Sequence, residues 1–188
     1  FCIDHLHAAP SSIPQAGRGA FTTRSLKAGT TVAPAPFFHI HRDDLFIFNE
    51  VEEIQEIQLL LNYCFGHSNS CLLLCSSGGH TGFINHNHAA PNVKLVWSQH
   101  PAHKSEMLNM TLSEFLSMDG NTEYNSQSGI LMEFVALRDI KKGEELSYDY
   151  GFGFDEFYKD FPCKCRSSNC CGYIIREGSR WRIKKNSK

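Results

Sequence analysis

The sequence has no excess of charge of either sign and no long hydrophobic run. Its 188 residues include 18 Lys and Arg against 20 Asp and Glu, so no broad positive field is available to hold nucleic acid. The longest apolar runs, such as 72–75 and 130–137, are far shorter than the roughly 20 residues of a membrane-spanning helix. We therefore expect neither direct nucleic-acid binding nor a membrane span in this segment.

The sequence also lacks an initiating methionine and has room for only one ordinary domain. It begins at Phe1, so we expect that an N-terminal region able to carry a targeting signal has been lost, and the compartment is left open. A chain of 188 residues that is 41% hydrophobic is long enough for one domain with a core and too short for two. We expect a single unit with small appendages.

Frequent turn signals separate short apolar runs, which predicts a mostly β protein with a few short helices. Runs rich in β-branched or aromatic residues predict strands at 20–21, 30–33, 72–75, 93–97 and 131–137. The apolar spacing of 51–61 predicts a helix. A second helix is predicted at 111–118, where Glu114 follows Thr111 at the spacing of a capping box.

Cysteine is unevenly distributed. Of the eight cysteines, four lie within residues 163–171 and the others, Cys2, Cys64, Cys71 and Cys75, are scattered. The clustered four indicate a metal site more than disulfides, although disulfides or free thiols stay open as alternatives. We interpret the scattered four as buried, inert thiols, with Cys71 and Cys75 able to pair under oxidising conditions.

Four stretches of the sequence form an ordered set of motifs. They are Gly17-Arg18-Gly19-Ala20-Phe21, then Phe83-Ile84-Asn85-His86 with Pro91-Asn92, then residues 143–151 (GEELSYDYG), and finally Cys163-Lys164-Cys165 with Cys170. In order and spacing the first three resemble the signature of SET-domain protein-lysine methyltransferases. The fourth resembles the zinc-binding extension that follows this domain in many members. The likeness spans roughly residues 15 to 175.

The resemblance implies a fold and a division of the chain. The fold would consist of small curved sheets with a knot-like crossing near the C-terminus. The divisions are an N-terminal segment at 1–14, a SET domain at 15–152, a post-SET-like cysteine cluster at 153–175 and a basic tail at 176–188. Helical or loop inserts are expected around 40–70 and 100–128.

The resemblance also implies roles for particular residues. Gly17, Arg18 and Gly19 would lie against the amino-acid end of S-adenosylmethionine, with Arg18 near its carboxylate. The Asn85–His86 pair would bind the adenine end. Tyr150 would be the catalytic tyrosine, and the substrate would be a lysine-bearing protein or peptide, histone or non-histone. If the substrate is a histone, we expect the nucleus.

Tyr148 lies two residues before Tyr150, so the two side chains share a face if the segment is a strand. In the family this position is a phenylalanine or tyrosine that tunes the degree of methylation. A tyrosine hydroxyl leaves less room for added methyl groups. The resemblance therefore predicts a bias toward monomethylation.

One departure from the family pattern concerns the metal. The pattern reads Asn-His-Ser-Cys, one residue, Pro-Asn, whereas residues 85–92 read NHNHAAPN, with one insertion and without the cysteine. That cysteine normally completes a zinc site with three cysteines of the extension. His88 occupies its place, and imidazole is an acceptable zinc ligand. The resemblance thus implies a structural zinc ion held by Cys163, Cys165, Cys170 and His88, with Cys171 as the spare.

Two other functions compete with the lysine methyltransferase. A catalytically silent SET-like module that binds peptide is favoured by the His88 substitution and its neighbouring insertion, and opposed by the intact Tyr150 and Asn85–His86. A metal-dependent nuclease or hydrolase would use His39-Ile40-His41 and His86-Asn87-His88. The second alternative is weak because the sequence shows no carboxylate cluster beside these histidines.

Overall fold

A computed structural model describes residues 5–41, 64–67, 71–75, 80–110, 113–114, 117, 129–150, 161–166, 170, 173–177 and 180–183. These residues confirm the predicted mostly β architecture: they form twelve short strands in four small sheets, with two 3-10 helices at His80–Phe83 and Ser105–Asn109. None of the helices within these ranges has the length and hydropathy that a membrane crossing requires.

The strands are β1 (Leu6–Pro10), β2 (Arg18–Thr22), β3 (Thr31–His41), β4 (Cys64–His67), β5 (Cys71–Cys75), β6 (Asn85–His86), β7 (Val93–Trp97), β8 (Ile130–Ala136), β9 (Ser147–Tyr148), β10 (Phe161–Pro162), β11 (Tyr173–Glu177) and β12 (Arg180–Ile183). The five strands predicted from the sequence all have counterparts among them. The largest sheet is antiparallel, in the order β4-β5-β3-β8-β7. Separate small sheets are formed by β1 with β2, by β6 with β9, and by β10, β11 and β12.

Strand β8 shows why this sequence forms a sheet with one buried face. Along β8, Ile130, Met132, Phe134 and Ala136 are buried, whereas the alternate residues are half-buried. Successive side chains of a strand point to opposite faces, so an apolar residue at every second position builds one continuous core surface. Burying each of the larger side chains stabilises the fold by about 1.5–3 kcal/mol.

Strand β3 extends well beyond the predicted 30–33 and runs through Pro34 and Pro36, although proline commonly interrupts a strand. Its pairing with β8 runs from Thr31 to Phe37, while its pairing with β5 begins only at Phe37. Within the described residues, the flank of β3 opposite β8 therefore carries no strand along the two prolines. A proline is tolerated in a strand where its missing N–H is not needed for a ladder.

The short strands β6 and β9 pair in parallel, with Asn85 opposite Ser147 and His86 opposite Tyr148. The buried Asn92 fastens the two segments together: its Oδ1 accepts the Ser147 N–H at 2.8 Å and its Nδ2 donates to the Glu145 carbonyl at 2.8 Å. Buried polar groups are stable only when hydrogen-bonded. This pairing of β6 with β9, called the crossing below, brings the Asn85–His86 motif next to the motif at 143–151.

Two other predictions bear on local structure. The predicted helix at 51–61 lies outside the described residues. Of the one at 111–118, Ser113, Glu114 and Ser117 are described, and the Ser117 N–H donates to Ser113 O at 3.1 Å, as in an α-helical turn. The suggestion that Cys71 and Cys75 could pair is wrong, because both lie on β5, where four residues span about 13 Å. A disulfide needs Cα atoms within about 7 Å.

Candidate active site and metal centre

The Gly17–Gly19 motif lies where the β1–β2 hairpin enters β2. Gly17 has φ +77°, in the left-handed region that favours glycine. Its carbonyl accepts the Ser11 N–H at 2.9 Å, which closes the turn. A Cβ placed on Gly17 would meet no atom of the described residues within 4 Å. The space beside this exposed turn is therefore open to a ligand.

Gly19 is required by a different contact. A Cβ on Gly19 would lie 2.1 Å from Oε1 of Glu145, because β2 runs antiparallel beside residues 144–146. The Glu145 carboxylate accepts hydrogen bonds from Ser11 Oγ at 2.6 Å, from the backbone N–H of Ser12 at 2.7 Å and from the Ser12 hydroxyl. Burial opposes ionisation of Glu145, but these bonds and one from Asn85 outweigh it and lower the pKa of the carboxyl group.

Asn85 joins the glycine turn to the crossing. Its Nδ2 donates to the Arg18 carbonyl at 3.0 Å and lies 3.1 Å from Glu145 Oε1. The Arg18 guanidinium donates to Ala8 O at 3.0 Å and lies 5.5 Å from the centre of the Phe83 ring. The structure thus brings Arg18 and Asn85 into contact, next to Gly17 and Gly19. It also holds the Arg18 charge at the rim of the turn.

The two predicted site tyrosines pack against each other. The ring centres of Tyr148 and Tyr150 are 4.6 Å apart, and Tyr148 meets Phe134 of the core edge-on at 5.3 Å. Tyr148 is buried, whereas Tyr150 is half-buried. The Tyr150 hydroxyl donates to the Ile84 carbonyl at 3.0 Å, directly before Asn85. This bond ties the predicted catalytic residue to the predicted cofactor-binding pair.

His86 and His88 flank the carboxylate of Asp149. His88 Nδ1 lies 3.1 Å from Asp149 Oδ2, with 43% of its side chain exposed, and His86 Nδ1 lies 3.8 Å from Asp149 Oδ1. The Tyr150 backbone N–H donates to His86 Nδ1 at 3.2 Å. Burial lowers the pKa of His86 to about 4, although Asp149 raises it. His86 is therefore a neutral imidazole near pH 7, the form that binds metals.

Cys163, Cys165 and His86 form a candidate metal centre. One ligand atom of each lies within 4.8 Å of the other two, and Cys163 is hydrogen-bonded to the thiols of Cys165 and Cys170. Burial raises the pKa of Cys163 to about 12, and its thiol contacts add to the rise. Without a cation the Cys163 thiol stays protonated, and a bound cation favours its thiolate.

The donor set fits zinc, which prefers four sulfur and nitrogen ligands. The structure brings the predicted ligands Cys163 and Cys165 together with His86, and Cys170 contacts Cys163. His88 lies outside the group of ligand atoms and contacts Asp149. Cys171 and the side chains of His39 and His41 lie outside what the structure describes.

Sequence reasoning did not single out three residues of the site: Phe83, Glu145 and Asp149. Each belongs to a quoted motif, which was the available signal. Their contacts join residues far apart in the chain, as with Ser11 and Glu145 at a separation of 134 residues, so spacing alone did not reveal them.

The residues around the glycine turn fit S-adenosylmethionine in their chemistry. The turn has open space beside Gly17, Arg18 offers a cation for a carboxylate, and Asn85 offers an amide for hydrogen bonding. The half-buried Tyr150 donates a hydrogen bond to the carbonyl of Ile84, directly before Asn85.

Comparison with known proteins identifies the family. The SET domain family model matches residues 17–151, which is most of the chain and includes the glycine turn, the crossing and both tyrosines. The chain belongs to the SET domain family, as the motifs predicted. The cysteine cluster lies beyond the matched residues and is consistent with the predicted extension.

Three similar proteins can be described. Human histone-lysine N-methyltransferase 2D is 27% identical over 155 residues, which cover 82% of this chain and 2% of that protein. A variant-silencing SET domain-containing protein of Plasmodium falciparum is 34% identical over 74 residues, 36% of this chain and 3% of that one. The chain therefore spans only 2–3% of the length of these curated relatives.

The third is a crystal structure of a Plasmodium falciparum protein assigned as a candidate histone methyltransferase. It superposes with a TM-score of 0.50 and 19% identity, covering 80% of this chain and 96% of that one. At this identity the likeness concerns the fold, and it supports the mostly β SET-domain architecture.

Proposed function

We propose that this protein transfers a methyl group from S-adenosylmethionine to the side-chain amine of a lysine in another protein. Family membership supports this function, as do relatives named histone-lysine N-methyltransferases. The observation that carries the proposal is the packed pair Tyr148–Tyr150. The Tyr150 hydroxyl donates a hydrogen bond to the carbonyl of Ile84, the residue before Asn85. The pair puts a phenol and an aromatic wall next to the predicted cofactor-binding turn.

Methyl transfer to an amine requires a neutral nucleophile aligned opposite the leaving sulfur. S-adenosylmethionine, when bound, supplies the electrophilic methyl carbon. The rings of Tyr148 and Tyr150 offer a low-dielectric wall that disfavours the ammonium form and lowers the pKa of the incoming lysine. The bond between Tyr150 and Ile84 fixes the phenol before substrate arrives, so less entropy is lost on alignment. No side chain of the protein acts as a nucleophile in this mechanism.

We assign cofactor binding to Gly17, Arg18, Gly19, Asn85 and His86. The open face at Gly17 lets the ligand approach the backbone, and Arg18 supplies the charge for its carboxylate. The Glu145 carboxylate holds the glycine turn and Asn85 in place, because it accepts hydrogen bonds from Ser11, Ser12 and Asn85. It acts as a positioning residue.

A bias toward monomethylation follows from Tyr148. Its ring is buried between Phe134 and Tyr150, so its hydroxyl has little freedom to move away from a growing methylammonium group. Replacing that hydroxyl by hydrogen enlarges the space by about one water molecule. Product degree is therefore set at this position.

The substrate is a protein lysine, in a histone or in another protein. If it is a histone, the proposal places the protein in the nucleus. The near-equal numbers of acidic and basic residues give no general attraction to basic tails, so selection rests on local contacts.

The test is methyl transfer from labelled S-adenosylmethionine to a panel of histones and unrelated lysine-rich proteins. Tyr150→Phe and Tyr148→Phe each remove one phenolic oxygen and serve as matched variants. We expect Tyr150→Phe to lose about 10²–10³-fold in kcat, the usual loss for a positioned polar group in a transition state. We expect Tyr148→Phe to stay active and to yield more dimethyl and trimethyl product by mass spectrometry.

Two outcomes contradict the proposal. Full activity in Tyr150→Phe removes the catalytic role of this tyrosine. Cofactor binding by calorimetry, without transfer to any protein of the panel, favours the silent peptide-binding module.

A further inference from the structure

Positive charge is concentrated in the last part of the sequence, although the whole chain is nearly balanced. Residues 173–188 contain six Lys and Arg and one Asp or Glu, whereas residues 1–172 contain 12 Lys and Arg and 19 Asp and Glu. The formal net charge is therefore +5 for residues 173–188 and −7 for residues 1–172. Because the whole-chain count averages over this difference, it hides a locally positive field.

Part of this basic segment forms a hairpin. The strands β11 and β12 pair antiparallel, and only residues 178–179 join them in the sequence. These two residues are Gly-Ser, a pair typical of two-residue hairpin loops that begin with glycine. Arg176, Arg180 and Arg182 fall in the expected basic tail at 176–188, but they lie on paired strands, which fix their relative positions.

The register places two arginines on one face of the hairpin. Arg182 is paired with Ile175, and Arg180 is paired with Glu177. Paired residues share a face and successive residues of a strand alternate between faces, so both arginines lie on the face that also carries Tyr173. Two residues along a strand are about 7 Å apart. This face, called the arginine face below, therefore offers two cations at a short, fixed spacing.

The opposite face of the small sheet is mostly apolar. By the same register it carries Phe161, Ile174, Trp181 and Ile183. Its one charged residue on β10, β11 and β12 is Arg176. An antiparallel sheet with one apolar face is stabilised by packing that face against protein, while the other face meets solvent. This division favours the arginine face as the one that meets a charged partner.

Duplex DNA is the partner whose charge and dimensions suit the hairpin. Its phosphates carry one negative charge per about 1.7 Å of helix axis, a density that attracts a basic segment strongly. The guanidinium group of arginine donates two parallel hydrogen bonds to a phosphate. The major groove of B-form DNA admits a two-stranded β-ribbon, whereas the deep, narrow major groove of an RNA duplex does not.

We propose that the β11–β12 hairpin binds the phosphate backbone of double-stranded DNA through its arginine face, together with the lysines that follow in the sequence, Lys184, Lys185 and Lys188. The contact depends on charge and not on base sequence. The negative charge of residues 1–172 disfavours DNA on the rest of the chain, so the expectation of no direct nucleic-acid binding applies to those residues. The inference goes beyond methyl transfer and does not depend on it.

The test is fluorescence anisotropy of a labelled duplex of about 20 base pairs, titrated with the full chain at salt concentrations from about 25 to 200 mM. The main variant is Arg180→Gln/Arg182→Gln. The matched control is Lys141→Gln/Lys142→Gln, which removes the same charge from two exposed lysines outside the hairpin. Arg180→Lys/Arg182→Lys keeps the charge, so it separates loss of charge from loss of fold.

We expect the affinity of the wild-type chain to fall with salt, with a slope of log K against log salt of about −4, as for four to five phosphate contacts. Arg180→Gln/Arg182→Gln should reduce this slope by about 2 and weaken binding at low salt at least tenfold. Lys141→Gln/Lys142→Gln should stay within about twofold of wild type. Arg180→Lys/Arg182→Lys should keep the wild-type slope.

Three results overturn the proposal. The first is no binding of the duplex by the wild-type chain at the lowest salt concentration. The second is an equal loss of affinity in the two glutamine double variants, because net charge rather than the hairpin would then explain binding. The third is an equal loss in the lysine and glutamine variants of the two arginines, because charge would then not be what the DNA contacts.

Poly-glutamate serves as the competitor that distinguishes DNA from an acidic protein. Its charge density is lower than that of the duplex, so at equal total charge it should leave most of the duplex bound. Release of the duplex by an equal charge of poly-glutamate would overturn the choice of DNA and favour an acidic polypeptide as the partner.

Discussion

The five-stranded sheet and the β6–β9 crossing are stabilised in opposite ways. In the sheet, β3, β7 and β8 contribute apolar side chains at alternate positions, and the core they form has no directional requirement. At the crossing, stability rests on polar side chains that bond the backbone of the facing segment, as Asn92 does. Apolar burial tolerates changes of shape, whereas each buried hydrogen bond fails completely when one partner is lost. The residues of the proposed site are concentrated in the less tolerant region.

The largest expected effect comes from the sheet. Ile130→Ala removes a fully buried side chain of β8 and should lower the free energy of unfolding by about 4 kcal/mol, within the range for a buried isoleucine. Denaturant titration measures it, with Leu137→Ala as the control because Leu137 is 44% exposed. The folded fraction at low temperature should bind S-adenosylmethionine with the same affinity as the wild-type chain. A loss of affinity in folded Ile130→Ala would break the division between the two regions.

Asn92→Ala should cost less stability but more function. It leaves the buried Ser147 N–H and the Glu145 carbonyl without their partner, which should lower the free energy of unfolding by about 2–3 kcal/mol. Cofactor affinity should fall by more than this destabilisation explains, because residues 145–148 lose their anchor. The comparison is Asn87→Ala, which removes only local turn bonds to Ala89 and Ala90. Equal losses in both variants would contradict a special role for Asn92.

Glu145→Gln sharpens the comparison by pH. The pKa of Glu145 is lowered in the folded chain, so its ionised form adds stability above the unfolded pKa, and this contribution is lost as pH falls through the folded value. We expect Glu145→Gln to be about 1 kcal/mol less stable at pH 7, after allowing for its partial exposure. The difference should shrink in acid. Unfolding titrations from pH 7 to pH 3 test this, with the exposed Glu106→Gln as control, and a pH-independent difference would refute it.

The smallest effect is expected at the ion pair of Lys27 and Asp139. Their side chains are 2.6 Å apart but are 85% and 62% exposed, and solvent screens such pairs. Lys27→Ala should leave the thermal midpoint unchanged within error in scanning calorimetry. A clear fall in the midpoint would show that polar contacts outside the crossing also stabilise the fold.

Different parts of the molecule were predictable to different degrees. The strand predicted at 131–137 matches β8 within one residue, because period-two burial is a local property of sequence. Strand β3 was predicted at less than half its length, because Pro34 and Pro36 resemble breakers unless one knows that β5 joins only at Phe37. Pairing with another strand is nonlocal information.

The same limit applies to the site. Asn85, Tyr148 and Tyr150 are recognisable because they lie inside contiguous motifs. His86 lies near the thiols of Cys163 and Cys165, whereas His88 does not. This difference depends on how the two rings stack on each other and contact Asp149, which the spacing His-x-His cannot determine. Likewise, Gly19 is needed because its missing side chain leaves room for the Glu145 carboxylate, a contact between distant parts of the chain.

The parallel pairing at the crossing has a consequence for how the protein folds. The bond between Tyr150 and Ile84 joins residues 66 positions apart, and contacts at such separation pay a loop-closure cost before they are rewarded. The antiparallel pairing of β3 with β8 spans even more positions, 104 between Thr31 and Val135, but all five strands of that sheet end before residue 137. On a ribosome the crossing must wait until residue 150 has emerged, so the strands of the core are all available before the candidate site is.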